Sequence, residues 1–270
     1  GNGIHASLTD IKNKDGDINI VVTPAVTNIT AAQVIQINNI AAATTGTVTA
    51  SIDGNAAELD DLAANGTSAT CAFTIVVDDA VTVAQGKTIV DATSITTVDF
   101  SAAGVADTLA NCIDTNAIHA SLTAIKNKDT DVNIALTTIN TITESQVTHL
   151  NLVTDLTQGT VSISIDGNAD KLAALSTNAS QTGTAALTIV VNDVATAVQG
   201  KAIVDATSIA TVDFSAAGLT GALATYIGTG VNTIHGNLTG IKNKDANVNI
   251  AITPAIENIT ADQVLSLIHI

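Results

Sequence analysis

Three stretches of the chain carry oxygen-bearing side chains at alternating positions, each directly after the sequence Lys-Asn-Lys. The three sets are Asp15, Asp17 and Asn19; Asp129, Asp131 and Asn133; and Asp245, Asn247 and Asn249. Alternating Asp and Asn oxygens begin the calcium loop of an EF-hand. The central glycine and the closing glutamate of that loop are missing, and the third set has one carboxylate fewer. The first two sets are therefore candidate calcium ligands, and the simpler interpretation is a polar turn that leads into a strand.

The histidines are the next candidates for chemistry. His5, His119 and His235 occupy one repeated position and lie 114 and 116 residues apart, whereas His149 and His269 do not repeat as a set. We predict that the repeated histidines cap helices or lie on a polar helix face, because this separation is too long for a shared metal ion. The many Ser and Asp residues come with no nucleophile elbow and no spaced metal cluster. We therefore expect no catalytic or cofactor-binding residues, and no cofactor.

The two cysteines, Cys71 and Cys112, are not part of the repeated pattern. The matching positions one repeat later are Ala185 and Tyr226. A mutual disulfide is one possibility. We favour two buried thiols that pack as small apolar groups.

One segment of the sequence occurs three times, with small changes, along the 270 residues. It reads IHASLTDIKNKDGDINI, IHASLTAIKNKDTDVNI and IHGNLTGIKNKDANVNI, at residues 4–20, 118–134 and 234–250. Such self-similarity is the mark of a repeat architecture. We therefore divide the chain into repeats at 1–117, 118–233 and 234–270. The last pattern, at 263–270, resembles the middle of a helix, so we expect a piece of a longer array.

Each long repeat contains shorter units. Nine segments rich in Val, Ile and Thr and bounded by Gly, Pro, Asp or Ser are predicted to be strands. They are residues 17–24, 47–54, 71–79, 94–101, 131–138, 160–167, 185–193, 208–215 and 247–254. The equivalent inward positions in the first five are predicted to be Val22, Ile52, Val77, Phe100 and Leu136. The long repeat therefore comprises four short ones.

Helix start signals lie between the predicted strands. Five pairs have the spacing of a capping box, in which a Thr side chain and the Gln three residues later cover each other's backbone N–H groups. They are Thr30–Gln33, Thr82–Gln85, Thr143–Gln146, Thr196–Gln199 and Thr260–Gln263, with Asn55–Glu58 as a related form. Their recurrence at equivalent places predicts a helix in each unit.

Strands that alternate with helices at steps of 23 to 36 residues predict an α/β protein with parallel strands and crossover helices. A doubly wound sheet or a closed barrel would distribute different loops along the chain, whereas these units recur in a fixed cycle. We therefore predict an open α/β solenoid, in which each unit adds one strand to a growing parallel sheet. With strands about 4.8 Å apart, nine strands would extend on the order of 40 Å.

Composition excludes several classes of partner. The chain has a formal charge of −16, and its nine basic residues include no Arg. Nucleic acids and anionic membrane surfaces would be repelled. The longest apolar runs, such as ALTIVV at 186–191, are far shorter than the roughly 18 residues of a membrane span. Four aromatic residues in all, with no Trp and no Met, suit a thin, regular core more than the thick core of an enzyme.

Three further stretches share motifs with one another. They are AAQVIQINNIAAATTGTVTASIDG (31–54), TVAQGKTIVDATSITTVDFSAAGVADTLANCI (82–113) and TAVQGKAIVDATSIATVDFSAAGLTGAL (196–223). These stretches resemble repeats of the giant cell-surface proteins of marine cyanobacteria. That family contains long arrays of TAAQ, TTG.VTA and V.D.SAV units, and the likeness covers nearly the whole chain. The resemblance implies a secreted, surface-attached protein linked to adhesion, surface structure or motility.

We expect a non-enzymatic structural repeat segment of a large, acidic, extracellular protein, acting as a rod, spacer or surface-layer material. Its expected partners are neighbouring repeats and further copies of itself. One alternative is the subunit of a self-assembling extracellular filament, because an uncapped sheet edge can template pairing. Another is an adhesive module that binds calcium or a cell-surface polysaccharide.

Overall fold

The structure is a computed structural model of the chain. It describes residues 3–62, 70–94, 97–100, 104–176, 183–206, 211–214, 218–228 and 234–254. Packing divides the chain into two compact units, the first comprising residues 1–135 and 156–159 and the second residues 136–155 and 160–270. The repeat boundaries at 117/118 and 233/234 stay a prediction.

In the first unit, helices are interspersed with strands of two to eight residues. Its helices are α1 (Ala6–Lys12), α2 (Ala31–Ala43), α3 (Ala56–Leu59), α4 (Val83–Asp91), α5 (Leu109–Cys112) and α6 (Ala120–Lys128). Its strands are β1 (Ile20–Val21), β2 (Thr47–Gly54), β3 (Thr70–Val77), β4 (Val98–Asp99), β5 (Val105–Asp107), β6 (Ile113–Asp114) and β7 (Ala117–Ile118). Strand β8 (Ile134–Leu136) lies where the chain passes from the first unit to the second.

The second unit likewise contains interspersed helices and strands. Its helices are α7 (Glu144–Thr154), α8 (Ala169–Leu172), α9 (Ala197–Asp205) and α10 (Gly236–Lys242), with a 3₁₀ helix at Leu223–Thr225. Its strands are β9 (Thr160–Gly167), β10 (Thr184–Val191), β11 (Ala195–Thr196), β12 (Val212–Asp213), β13 (Leu219–Gly221) and β14 (Ile250–Ile252).

The sheets are mostly parallel, and their strands are ordered as in the sequence. The first unit has the order β1-β2-β3-β4, while the second contains β9-β10-β12 and a separate set β11-β13-β14. The pair β6-β7 is antiparallel. Among the described residues no sheet closes into a barrel. The predicted α/β class with parallel strands is thus confirmed.

The core lies between the strands and the helices. In the first unit Ile52 pairs with Ile75 and Ile75 with Val98, and all three side chains are at most 1% exposed. In the second unit the equivalent ladder is Ile165, Ile189 and Val212, equally buried. The alternation of buried and exposed residues along β2 and β9 puts the branched apolar side chains on one face. The two units therefore build their cores from matching ladders.

The predicted register was wrong by two residues at each of the first two steps. Val22 was expected level with Ile52 but lies level with Ala50, next to the Val21–Thr49 pair. Ile52 was expected level with Val77 but pairs with Ile75. A two-residue shift keeps every side chain on the same face, so hydrophobic alternation cannot distinguish the two registers. Val77 does lie level with Phe100, because Val76 pairs with Asp99 in the parallel ladder.

Strand bounds agree best where the apolar pattern is longest. Strands β2 and β9 coincide with the predicted 47–54 and 160–167. Other strands are shorter, such as β1 within 17–24 and β4 within 94–101, because turn-forming Asp, Asn, Pro and Ser residues occupy their flanks. The short strands β5, β6, β7, β11 and β13 were not predicted.

The helices pack in chain order within each unit. Helix α2 contacts α3, α3 contacts α4 and α4 contacts α6, while α7, α8, α9 and α10 follow one another in the second unit. The capping boxes at Thr30, Thr82, Thr143 and Thr196 are all formed, which confirms those predictions. The pair Thr260–Gln263 lies outside the described residues. Asn55 is an N-cap without a side-chain hydrogen bond, so the predicted Asn55–Glu58 box was wrong.

Candidate functional site

The second Lys-Asn-Lys-Asp stretch forms the turn between α6 and β8. Asp129 is 9% exposed, whereas Asp131 and Asn133 are exposed. The Asp129 carboxylate accepts a hydrogen bond from Asp131 N through Oδ1, at 3.3 Å. Such a bond from the residue two positions later closes an Asx-turn. The turn therefore brings Asp129 and Asp131 together, as the simpler interpretation predicted.

Asp129 also joins this turn to the end of a neighbouring strand. Its Oδ2 accepts from Phe100 N at 2.9 Å, directly after β4. The main-chain carbonyl of Asn133 accepts from Val105 N at 2.8 Å. The turn therefore satisfies two backbone donors, one directly after β4 and one at the start of β5.

The environment of Asp129 changes its acidity. Burial raises the pKa of Asp129 to about 6, the Phe100 N–H opposes this shift, and the Asp131 carboxylate adds to it. Desolvation and a like charge both disfavour the ionised form of a carboxyl group. Asp129 is therefore a carboxyl that titrates near pH 6 while it holds two elements together.

The third copy makes the same contacts. Asp245 accepts from Asn247 N at 3.0 Å and from Phe214 N at 2.8 Å. The carbonyl of Asn249 accepts from Leu219 N at 2.7 Å. The turn is therefore a recurring device for joining a helix–strand unit to the one before it.

The first copy lies in a different environment. Asp15 and Asp17 are exposed on the loop between α1 and β1, and Asp15 accepts from Asp17 N at 3.4 Å. Hydrogen bonding to Asp15 and repulsion from its charge raise the pKa of Asp17. Asn19 accepts from Thr47 N at 2.8 Å through Oδ1, so its side chain serves the neighbouring strand β2.

The candidate calcium ligands thus form two separate turns, each with two neighbouring carboxylates. Among the residues that the structure describes, no three His, Cys, Asp or Glu side chains come close enough to hold one metal ion. Calcium at Asp15, Asp17 and Asn19, or at Asp129, Asp131 and Asn133, stays a prediction.

A cleft of about 710 Å³ lies beside the Asp129 turn. Thr74, Asp99, Lys128, Asp129 and Asp131 contribute to its wall. Lys128 donates to the Thr93 carbonyl at 3.4 Å through Nζ, which fixes the ammonium group at one side of the cleft. The polar part of the wall therefore combines three carboxylates with one amine, beside apolar residues of β3 and β4.

The repeated histidines are helix caps. His5, His119 and His235 accept through Nδ1 from Ser7 N, Ser121 N and Asn237 N, each at 3.2 Å. A side-chain acceptor at this position satisfies one of the N–H groups that a helix leaves unpaired at its start. The predicted capping role is confirmed. His149 lies near Ser145 at 3.5 Å on α7, and His269 lies outside the described residues.

The cysteines are buried free thiols, as predicted. Burial raises the pKa of Cys71. Burial and the charge of Asp107 raise the pKa of Cys112 to about 12. Because the thiolate is the reactive form, both side chains behave as small apolar groups in the core.

Sequence reasoning missed a second set of capping aspartates. Asp79 accepts from Ala56 N at 2.6 Å, and Asp193 accepts from Ala169 N at 2.6 Å. Each follows a strand and caps the helix that precedes that strand in the chain. The sequences VVDD and VVND at the ends of β3 and β10 are the signal that marks them.

No family model, curated protein or solved structure matches the chain. Among the helices of the described residues, none has the length and apolar character needed to cross a bilayer. The account of function therefore depends on the chain's own contacts.

Proposed function

We propose that this chain is a structural segment, an open α/β solenoid within a large, acidic, extracellular protein. Its role is geometric and not enzymatic: the number of units sets the length, and the packed ladders set the stiffness. The extracellular setting is suggested by the resemblance to giant cell-surface repeats. The charge of −16 would keep an extended surface soluble.

The recurrence of the same contacts in both units carries this proposal. The ladder Ile52–Ile75–Val98 has its counterpart in Ile165–Ile189–Val212. The bond from Phe100 N to Asp129 has its counterpart between Phe214 and Asp245. In a solenoid each unit contacts its neighbours alone, so units can be added without a new core.

A chain in which residues 118–233 are duplicated once tests the proposal. This stretch contains four strands that neighbour one another in a parallel sheet, β8, β9, β10 and β12. At about 4.8 Å per strand, the longest dimension should increase by roughly 20 Å with an unchanged cross-section. Small-angle scattering and negative-stain microscopy measure both quantities. A particle that grows in cross-section instead would contradict the solenoid.

The same particles, imaged in calcium and again in chelator, separate the alternatives. We expect the same dimensions in both buffers, because hydrogen bonds to backbone N–H groups already hold the Asp129 and Asp245 turns. Shortening or disorder after chelation would favour calcium at Asp129 and Asp131. Fibres that lengthen with protein concentration would favour the filament.

A further inference from the structure

Helix α1 leaves Ile11 exposed and Leu8 half-buried, at positions that its two sister helices bury. Leu8 and Ile11 of α1 are equivalent to Leu122 and Ile125 of α6 and to Leu238 and Ile241 of α10. Ile11 is 53% exposed, while Ile125 and Ile241 are each 0% exposed. No residue of α1 is buried. The sequence is therefore adapted to a contact that α1 does not make within the described part of the chain.

The structure shows what covers the two sister helices. Helix α4 packs on α6 in the first unit, and α9 packs on α10 in the second. A Cβ placed on Gly86 would lie 2.6 Å from Ile125 Cδ1, and one on Gly200 would lie 2.8 Å from Ile241 Cδ1. In both cases the isoleucine fills the space that a glycine leaves open. The covering helices read VAQGKTIVD and AVQGKAIVD.

The same covering segments also serve the aspartate turns. After each covering helix the chain continues into VDFSAAG, and the Phe N–H binds Asp129 or Asp245. The residue that follows this glycine, Val105 or Leu219, donates to the carbonyl of Asn133 or Asn249. The glycines themselves have positive φ, 68° at Gly104 and 71° at Gly218. The covering helix, the strand that follows it and the glycine thus form one complementary block.

The first copy has the same surface as the second and third copies, but here it is uncovered among the described residues. Asp15 is exposed, and β1 is the edge strand of its sheet. Helix α1, Asp15 and β1 therefore repeat the surface that α6, Asp129 and β8 offer to residues 81–107. The equivalent surfaces of the second and third copies are each covered by the same kind of segment. That segment is therefore the expected partner of the first copy.

We propose that the face formed by α1, Asp15 and the outer edge of β1 is a docking surface for a helix–strand unit of the type spanning 81–107, in which a glycine-containing helix is followed by a Val-Asp-Phe segment. The partner's glycine would lie over Ile11, and the backbone N–H of its phenylalanine would donate to Asp15. The proposal rests on the stacking of units proposed above. Within the part of the chain that the structure describes, a second folded copy offers no uncovered unit of this type, because α6 packs on α4 and α10 packs on α9.

A tethered unit tests whether the surface has this chemistry. An added copy of residues 81–117 is joined ahead of Ile4, as residue 117 is joined to Ile118 in the chain. Tethering replaces binding from solution by a high effective concentration. We expect hydrogen exchange in residues 6–12 to slow by at least about tenfold, towards the rate of residues 120–128. Gly86→Leu in the added copy is the matched control and should leave the exchange fast.

A synthetic peptide of residues 81–107 supplies the same unit from solution. Slower exchange in residues 6–12 that saturates with peptide, and that Ile11→Asp abolishes, is the expected result. An added unit that leaves residues 6–12 fast in the tethered chain overturns the inference. So does an unmodified chain that dimerises with residues 6–12 protected, since the occupant would then be a second copy. If the chain with residues 118–233 duplicated lengthens as expected, but the tethered unit does not slow exchange in residues 6–12, this inference is overturned and the proposed solenoid is not.

Discussion

Helices α1 and α6 begin in the same way and end in different environments. His5 and His119 cap them with hydrogen bonds of the same length, 3.2 Å. Yet Ile11 is 53% exposed, and Ile125 is fully buried under α4. Caps are formed by residues a few positions apart, so they recur wherever the sequence recurs. Burial depends on a neighbouring unit, and it differs between copies of one sequence.

Removing the isoleucine side chain sharpens this comparison most. Ile125→Ala should lower the free energy of unfolding by about 2–5 kcal/mol, because it opens a cavity between α4 and α6. Ile11→Ala should change it by less than about 0.5 kcal/mol, as exposed substitutions do. Urea denaturation followed by circular dichroism measures both. Equal losses would mean that α1 is buried in solution.

Gly104 is the next position at which the contact with the aspartate turn can be broken. Its φ is 68°, and a Cβ there would lie 2.3 Å from the carbonyl oxygen of Asn133. Gly104→Ala should therefore cost about 1–3 kcal/mol, because backbone atoms cannot move aside as a side chain can. Gly16→Ala is the control in the α1 copy, where a Cβ would meet nothing within 4 Å. If the Gly104→Ala variant unfolds at the same urea concentration as the Gly16→Ala variant, the close approach between Gly104 and Asn133 is refuted.

The pH dependence tests the buried turn. The pKa of Asp129 is raised to about 6 from an ordinary value of 3.8, so the folded chain takes up a proton that the unfolded chain does not. The Asp129 contribution to the free energy of unfolding should therefore increase as the pH falls from 7 through 6, and level off near 4. Asp131→Asn, which gives this turn the residue of the third copy, should lower the pKa of Asp129 and add about 1 kcal/mol of stability at pH 7.

Carbon-detected NMR of the Asp129 carboxyl measures this titration, and denaturation at pH 7 and pH 4.5 measures the linked stability. Asp129→Asn serves as the reference without the titrating group. A carboxyl shift with a midpoint near 4 in the unmodified chain would contradict the effect of burial.

The smallest expected effect is at the caps. His119→Ala should cost about 0.5–1 kcal/mol, since it leaves one N–H at the start of α6 without its acceptor. His5→Ala should cost less, because fraying of an exposed helix removes few tertiary contacts. Thermal unfolding of the two variants side by side gives the difference. A larger loss from His5→Ala would reverse the ranking of the two helices.

The features that sequence predicted correctly are local. The Thr–Gln capping boxes, the histidine caps and strands β2 and β9 depend on spacings of two to eight residues. The register of Ile52 was missed because Ile75 and Val77 face the same side. The cap on α3 was assigned to Asn55, whereas Asp79 from the end of the next strand binds Ala56 N. The burial of Asp129 depends on Phe100, which its own segment does not contain.

Hydrogen exchange on the unmodified chain tests the central claim, that neighbouring units bury each repeated segment. The three segments 4–20, 118–134 and 234–250 have nearly the same sequence, so their intrinsic exchange rates are nearly equal and structure sets the difference. We predict exchange at least about tenfold faster in residues 6–12 than in residues 120–128 and 236–242, because opening free energies follow burial. Equal protection in all three segments would contradict the account.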